Sequence, residues 1–285
     1  MSEIRKYFES RWGETGRLVE IDLSQIEIIV QAVLAGDEAM LQDVRDGVDF
    51  HCKRLAKKLG QSYTIVYDEV HKYKNTKYIA LRKKNKNISF MRAYGAYPKS
   101  ISKATGLSVK EVDAYFKAED ELYPDIAKFN QKNFEAVAAS RKVDGTTARG
   151  FPRGTGLLGS VTGRYYAFEE YDHPFRGGDT AFKDTKIKNY PIQGFAGEIL
   201  RVFLGLIFRR MLKSNLNAVM INTVHDSILF DVPLHEVEDL VQLVEAASKQ
   251  LVPQIERLFE LKITVPLKYD VAVGLNWYDM EEYSG

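Results

Sequence analysis

Apolar positions along the chain fall into two periods. Residues 17–21, apolar at Leu18, Val19 and Ile21, predict a short strand that carries Asp22 at its end and leads into a helix. Ile26, Ile29, Val30, Val33 and Leu34 keep helical spacing over 25–44, interrupted at Gly36-Asp37 where a second helix can start, and the pattern continues through 51–59. Helix is again predicted over 108–139, with a break at Pro124. Pro191 suits the first turn of a long helix whose apolar positions run from Phe195 to Met211. Residues 218–232 are β-branched and apolar on both sides of a polar centre, Thr223 to Ser227, which reads as a hairpin with an acidic turn. An amphipathic helix over 236–258 and a final strand over 263–274 complete the pattern. Between them, residues 145–163 are rich in glycine and read as a flexible loop or short hairpins near a ligand, without a phosphate-loop signature.

With 285 residues and 45% hydrophobic content, the chain can bury a substantial core as one large domain or two interleaved ones. Forty basic and thirty-nine acidic residues leave a net charge of +1, so any nucleic-acid site must come from local clustering. The single cysteine, Cys52, excludes an internal disulfide framework and a cysteine-rich zinc site, and fits a reducing compartment. The first thirty residues lack a secretory signal, and the longest apolar candidate, 26–34, is broken by Glu27 and Gln31. We therefore expect a soluble, cytoplasmic protein with no membrane partner.

The local cluster lies in residues 61–86, where Lys72, Lys74, Lys77, Arg82, Lys83, Lys84 and Lys86 crowd together. Such a run by itself is a solvated helix face. Spacing changes the picture, because Arg82, Lys86, Phe90 and Tyr94 recur every fourth residue and share one face of a helix. Two cations near its start can hold a nucleotide's phosphates while rings further along stack on sugar and base. Two strands also each present an aspartate at an end, Asp22 and Asp226; paired carboxylates of this kind bind two magnesium ions and leave positions open for substrate phosphates. Taken singly, either aspartate is an ordinary turn residue.

Taken together, the segments resemble a family. DLSQIE at 22–27, the register Arg82-Lys86-Phe90-Tyr94-Gly95 and HDS at 225–227 are similar, in that order, to the three polymerase motifs of family A DNA polymerases, the bacterial polymerase I and T7-like phage group. TGRYY at 162–166, YPIQG at 190–194 and VPLKYDVAVGLNW at 265–277 extend the likeness over nearly the whole chain. The resemblance implies a mixed α/β fold, a right-hand polymerase lacking a thumb: an antiparallel palm sheet from the first acidic strand, the hairpin and the last strand, with inserted helical fingers. Residues 1–40 would be the first part of the palm, 41–185 the fingers and connecting segments, and 186–285 the second part of the palm.

The implied function is template-directed addition of deoxynucleotides to a primer 3′-end, with primer–template DNA and dNTP as partners and two Mg2+ ions as cofactor. Asp22, Asp226 and the backbone carbonyl of Leu23 would hold the metals. Arg82, Lys86 and His51, the last in a VDFH phrase similar to the family's DIH, would bind the triphosphate, with Lys86 also counted as catalytic. Phe90 would pack on the sugar, Tyr94 beside the template base, and Glu27 where it excludes a ribose 2′-hydroxyl. Gln25, Arg164, Gln193 and His225 match positions touching the incoming pair, the minor groove or the primer end.

Departures accompany the likeness. Ser227 follows His225-Asp226 where the family has glutamate, Met91 follows Phe90 where glycine is usual, and residues 62–77 read as a basic insertion without an assigned role. Only twenty-one residues precede Asp22, from which we expect a separately encoded thumb and exonuclease subunit, as in a split phage polymerase. The alternatives are a non-catalytic DNA-binding or scaffold subunit that retains the fold, and a single-subunit RNA polymerase.

Overall fold

The computed structural model describes residues 3–93, 96–173 and 180–283. The chain forms two compact units, one built from residues 1–30 and 194–285, the other from 31–193.

The first is a sheet unit. Among the described residues its sheet has five antiparallel strands in the order Met280–Glu282, Tyr269–Gly274, Gly16–Leu23, Ser227–Pro233, Val219–Val224. The expected sheet of first acidic strand, hairpin and last strand is present, with one additional edge strand, 280–282. Gly16–Leu23 sits centrally because Leu18, Val19, Ile21 and Leu23 are each almost fully buried, and only a strand covered on both faces accommodates such a run. Its neighbour Ser227–Pro233 is buried at every position. The portion of the helix Asp184–Met211 that belongs to this unit contributes Phe195, Ile199, Phe203 and Ile207 to the core; Phe195 packs edge-on against Phe259, and Phe203 packs at a tilt against Tyr269. That helix is long and apolar enough to cross a membrane, but half of its most apolar window is buried within the protein.

Three boundaries differ from the sequence reading. Pro191 lies inside Asp184–Met211 instead of in its first turn, because the helix starts earlier at Asp184, whose carboxylate is paired with Lys188 one turn on. The expected 236–258 helix is two, Val237–Ser248 and Leu251–Phe259, so that Pro253 falls in a first turn, where its missing N–H is tolerated. The last strand begins at Tyr269 and not at 263, since Pro266 cannot donate to a central ladder.

The second unit is mostly helical. Its helices include Glu38–Arg45, Phe50–Leu59, Thr76–Ala93, Pro98–Thr105, Val109–Leu122 and Pro124–Ala139. The chain does not run continuously from the 38–45 helix into the next: Gly47 takes a left-handed φ of 65°, and Asp49 caps a new start by accepting the N–H groups of His51 and Cys52, both at 2.9 Å. The glycine-rich stretch is a three-stranded antiparallel sheet, Lys142–Thr146, Pro152–Gly159 and Tyr165–Glu169. Glycine at 156 answers a packing need, since a Cβ there would lie 2.3 Å from the Val137 carbonyl of the helix Pro124–Ala139.

Candidate active site: an acidic sheet edge and a basic helix

In the sheet unit, register brings the two predicted aspartates together. Asp22 lies opposite Ser227 on one neighbouring strand and opposite Asp270 on the other. The Leu23 N–H donates to the Asp226 carbonyl at 3.1 Å, and the Ser24 N–H to the Lys268 carbonyl at 2.9 Å, so both flanks of Asp22 are pinned. Asp226 occupies the two-residue turn of the hairpin with His225, whose φ of 56° makes so tight a reversal possible. Strand alternation places Glu20 on the same face as Asp22.

Among the described residues, no ion pair reaches Asp22, Asp226, Glu20 or Asp270. Burial first, and then the charges of Asp226, Glu20 and Asp270 and a hydrogen bond with Asp226, push the Asp22 carboxyl up to about 6. Hydroxyl and indole donors orient the outer acids: Ser24 Oγ donates to Asp270 at 2.7 Å, while Ser227 Oγ and Trp277 Nε1 donate to Glu20 Oε1 at 2.9 and 3.3 Å. Other acids of the same unit are treated differently. Buried Asp231 takes a 2.6 Å bond from Ser10 and faces Arg11; buried Glu236 takes bonds from Asn217 and Ala218. Those two are satisfied structural acids. At the Asp22 edge, hard anionic oxygens converge and repel, a donor set that fits divalent Mg2+.

In the helical unit, the basic helix Thr76–Ala93 collects a second group. The Asn85 amide donates to the His51 carbonyl at 2.9 Å, tying this helix to Phe50–Leu59. The His51 and Phe90 rings lie 6.0 Å apart, and Lys86 Nζ stands 5.5 Å from the Phe90 ring, so His51, Lys86 and Phe90 are neighbours. Burial first, then Arg54, Arg82 and Lys86, push the His51 imidazole down to about 4 against the pull of Asp49. A neutral ring results, and its buried Nδ1 has no hydrogen-bond partner among the described residues. Arg82 is anchored differently, by Nε and Nη2 on Asp49 Oδ2 at 2.8 and 2.7 Å.

Asp49, Cys52 and His71 also offer ligand atoms within 4.8 Å of one another. Burial and Asp49 push the Cys52 thiol up to about 12, and a guanidinium already occupies the carboxylate, so the group is a hydrogen-bonded ion-pair network.

Of the remaining predicted residues, Gln25 precedes the helix Ile26–Ala35 in a left-handed conformation with φ 54°, and Glu27 lies exposed in that helix's first turn. Arg164 sits in the turn before strand Tyr165–Glu169, and Gln193 within the long helix. Tyr94 and Gly95 lie outside the described residues. Sequence reasoning passed over Glu20, Asp270, Asp49 and His71. Glu20 was open to detection by its two-residue offset from Asp22; the other three needed strand register or helix packing to be placed.

The profile of DNA polymerase family A matches residues 1–279. The chain is 25% identical over 276 residues to DNA polymerase I of Caldicellulosiruptor bescii, covering 97% of this chain and 28% of that protein. It is 24% identical over 279 residues to the thermostable DNA polymerase I of Thermus filiformis, covering 98% and 29%. The chain thus spans under a third of the length of these relatives. Among solved structures, it is similar in fold to the POL domain of Pol1 from M. smegmatis in complex with DNA primer-template and dNTP, with a TM-score of 0.68 and 23% identity, over 96% of this chain and 42% of that one.

Proposed function

The chain belongs to DNA polymerase family A, and from that premise we propose that it carries template-directed addition of deoxynucleotides to a primer 3′-end, with the sheet unit as palm and the helical unit as fingers. One observation supports this above the others: Asp22 and Asp226 stand side by side, with Asp22 raised by its acidic neighbours to about 6. Asp22, Asp226 and the Leu23 carbonyl would hold two Mg2+ ions, which when bound lower the pKa of the primer hydroxyl and neutralise charge on the triphosphate.

The chain's own side chains supply the rest. Arg82 and Lys86 bind phosphate oxygens as fixed cations, and His51, a neutral ring at physiological pH, joins them beside Phe90. Phe90, exposed beside Lys86, stacks on the sugar, and Tyr94 shapes the space beside the template base. Glu27 blocks a 2′-hydroxyl, selecting deoxynucleotides. Gln25, Arg164, Gln193 and His225 read the shape of the primer–template. Such a reaction belongs in the cytoplasm. A phage origin and a separate thumb and exonuclease subunit draw no support from the fold or the relatives and form no part of this reading.

Ser227 is the motive for a non-catalytic scaffold. Its hydroxyl holds Glu20, however, so a third carboxylate still stands on the face of Asp22. Primer extension with Mg2+ separates the two: synthesis abolished by both Asp22→Ala and Asp226→Ala supports the enzyme, whereas synthesis surviving either change, or no synthesis by wild type, overturns it. Comparing dNTP with rNTP in the same assay tests the RNA polymerase alternative.

A further inference from the structure

Residues 62–77, the insertion without a role in the resemblance, converge on one carboxylate. Tyr63–Tyr67 and the π-helical turn Asp68–Lys72 pack Val66 and Val70 into a small core with Cys52, Leu55 and Ala56, and Tyr63, Tyr78 and Leu81 close over it. From that platform two side chains reach Asp49. The Tyr63 hydroxyl accepts the Asp49 N–H at 3.0 Å, and His71 Nε2 lies 2.9 Å from Asp49 Oδ2. The His71 ring is itself seated on Tyr67, centroids 4.5 Å apart. Asp49 Oδ1 is occupied in capping the helix Phe50–Leu59, so Oδ2 alone receives both His71 and Arg82.

We infer that residues 62–77 are a brace for nucleotide binding: Tyr63 and His71 fix Asp49, and Asp49 fixes the Arg82 guanidinium in the orientation that meets the triphosphate. This rests on the reading of Arg82 as a phosphate ligand. Asp49 engages the Nε–Nη2 edge of the fork and not its Nη1 end, so the contact orients the cation along one edge without enclosing it. An unbraced arginine on a helix surface samples many rotamers, and ordering it costs binding free energy each time a nucleotide arrives. Burial pushes Asp49 up, but the bonds from Arg82, the Cys52 N–H and His71 outweigh it and hold the carboxyl at about 2, so the brace stays ionised throughout the working pH range. Asp49, Tyr63 and His71 are positioning residues on this account.

The test uses His71→Ala, which removes the donor from a partly exposed ring, His71→Gln, whose amide can donate to the same oxygen, and Asp49→Asn, which keeps the helix cap and removes the charge. Two readouts are taken on the whole chain. Hydrogen exchange of the Arg82 Nε–H, followed by 15N NMR without nucleotide, is expected to quicken in His71→Ala and Asp49→Asn and to return towards wild type in His71→Gln. In primer extension, Asp49→Asn should raise the KM for dNTP about tenfold, as expected on losing a charge-assisted hydrogen bond, with little change in kcat; His71→Ala should raise it less. Neither change should add to the KM of an Arg82→Ala background. Unaltered Nε–H exchange in His71→Ala, or a full KM effect in the Arg82→Ala background, overturns the brace. Absent synthesis by wild type overturns the polymerase reading alone, since the exchange measurement still decides whether Arg82 is held.

Discussion

Asp22 and Asp49 are the same residue type held in opposite ways. At the sheet edge, Asp22 faces Asp226, Glu20 and Asp270, and its carboxyl is raised to about 6. In the helical unit, Asp49 receives a guanidinium, an imidazole and two backbone N–H groups, and is lowered to about 2. The difference bears on the proposed roles. On that reading, a carboxylate whose neighbours are acids is left for a metal to neutralise from outside, whereas one already neutralised from within fixes a cationic side chain.

The largest effect is expected in catalysis. Replacing Asp22 or Asp226 with alanine should lower primer extension by on the order of a thousandfold or more, measured as single-turnover rate with Mg2+. A loss no greater than that of a surface aspartate would mean the acidic edge is structural.

Arg82→Ala comes next. Its expected cost is about a hundredfold in kcat/KM for dNTP, the size of a charged phosphate contact. Because only the cationic side of the contrast is touched, the rise should lie in KM; an effect confined to kcat would assign Arg82 another task.

Thermal melts of the metal-free protein sharpen the contrast without any assay of activity. For Asp22 the folded pKa lies above the unfolded value, so its contribution is fully present below about pH 4 and is lost as pH rises through about 6. For Asp49 the folded pKa lies below it, so its contribution is present above about pH 4 and lost as pH falls through about 2. At pH 8, Asp22→Asn should therefore raise the metal-free Tm by about 2 °C, and Asp49→Asn should lower it by a comparable amount. Mg2+ should raise the wild-type Tm at pH 8, and that rise should fade below pH 6. A Tm lowered by Asp22→Asn at pH 8 would show that no repulsion is stored at that edge.

The smallest effect is expected from Ser227→Ala. The hydroxyl donates to Glu20 and also lies 3.1 Å from the Val224 carbonyl, so its loss should cost about 1 kcal/mol in a denaturant titration. Primer extension should slow modestly as Glu20 loosens. No change in either would leave Glu20 without a demonstrated link to the aspartate pair.

Much of the molecule is determined by the chain locally. Helical spacing alone puts Arg82, Lys86 and Phe90 on one face, because 3.6 residues per turn is a property of the backbone and needs no partner. The alternation of Glu20 with Asp22, the polar centre of the hairpin and the caps at Asp37, Asp49 and Ser108 are likewise near-neighbour effects. Boundaries read less well at prolines: Pro191 is placed too early in its helix without the tertiary setting, and the periodicity of 236–258 passes over the break that precedes Pro253. What folding alone decided is which distant groups meet. Asp22 lies beside Asp226 and opposite Asp270 because burial of the face carrying Val19, Ile21 and Leu23, against a face carrying Glu20 and Asp22, fixes the register of strand Gly16–Leu23 against two neighbours more than two hundred residues away in sequence. His71 reaches Asp49 because Val66 and Val70 bury themselves against Leu55 and Ala56. Periodicity cannot express either meeting: it records the face a residue occupies, whereas apolar burial decides what that face is turned towards.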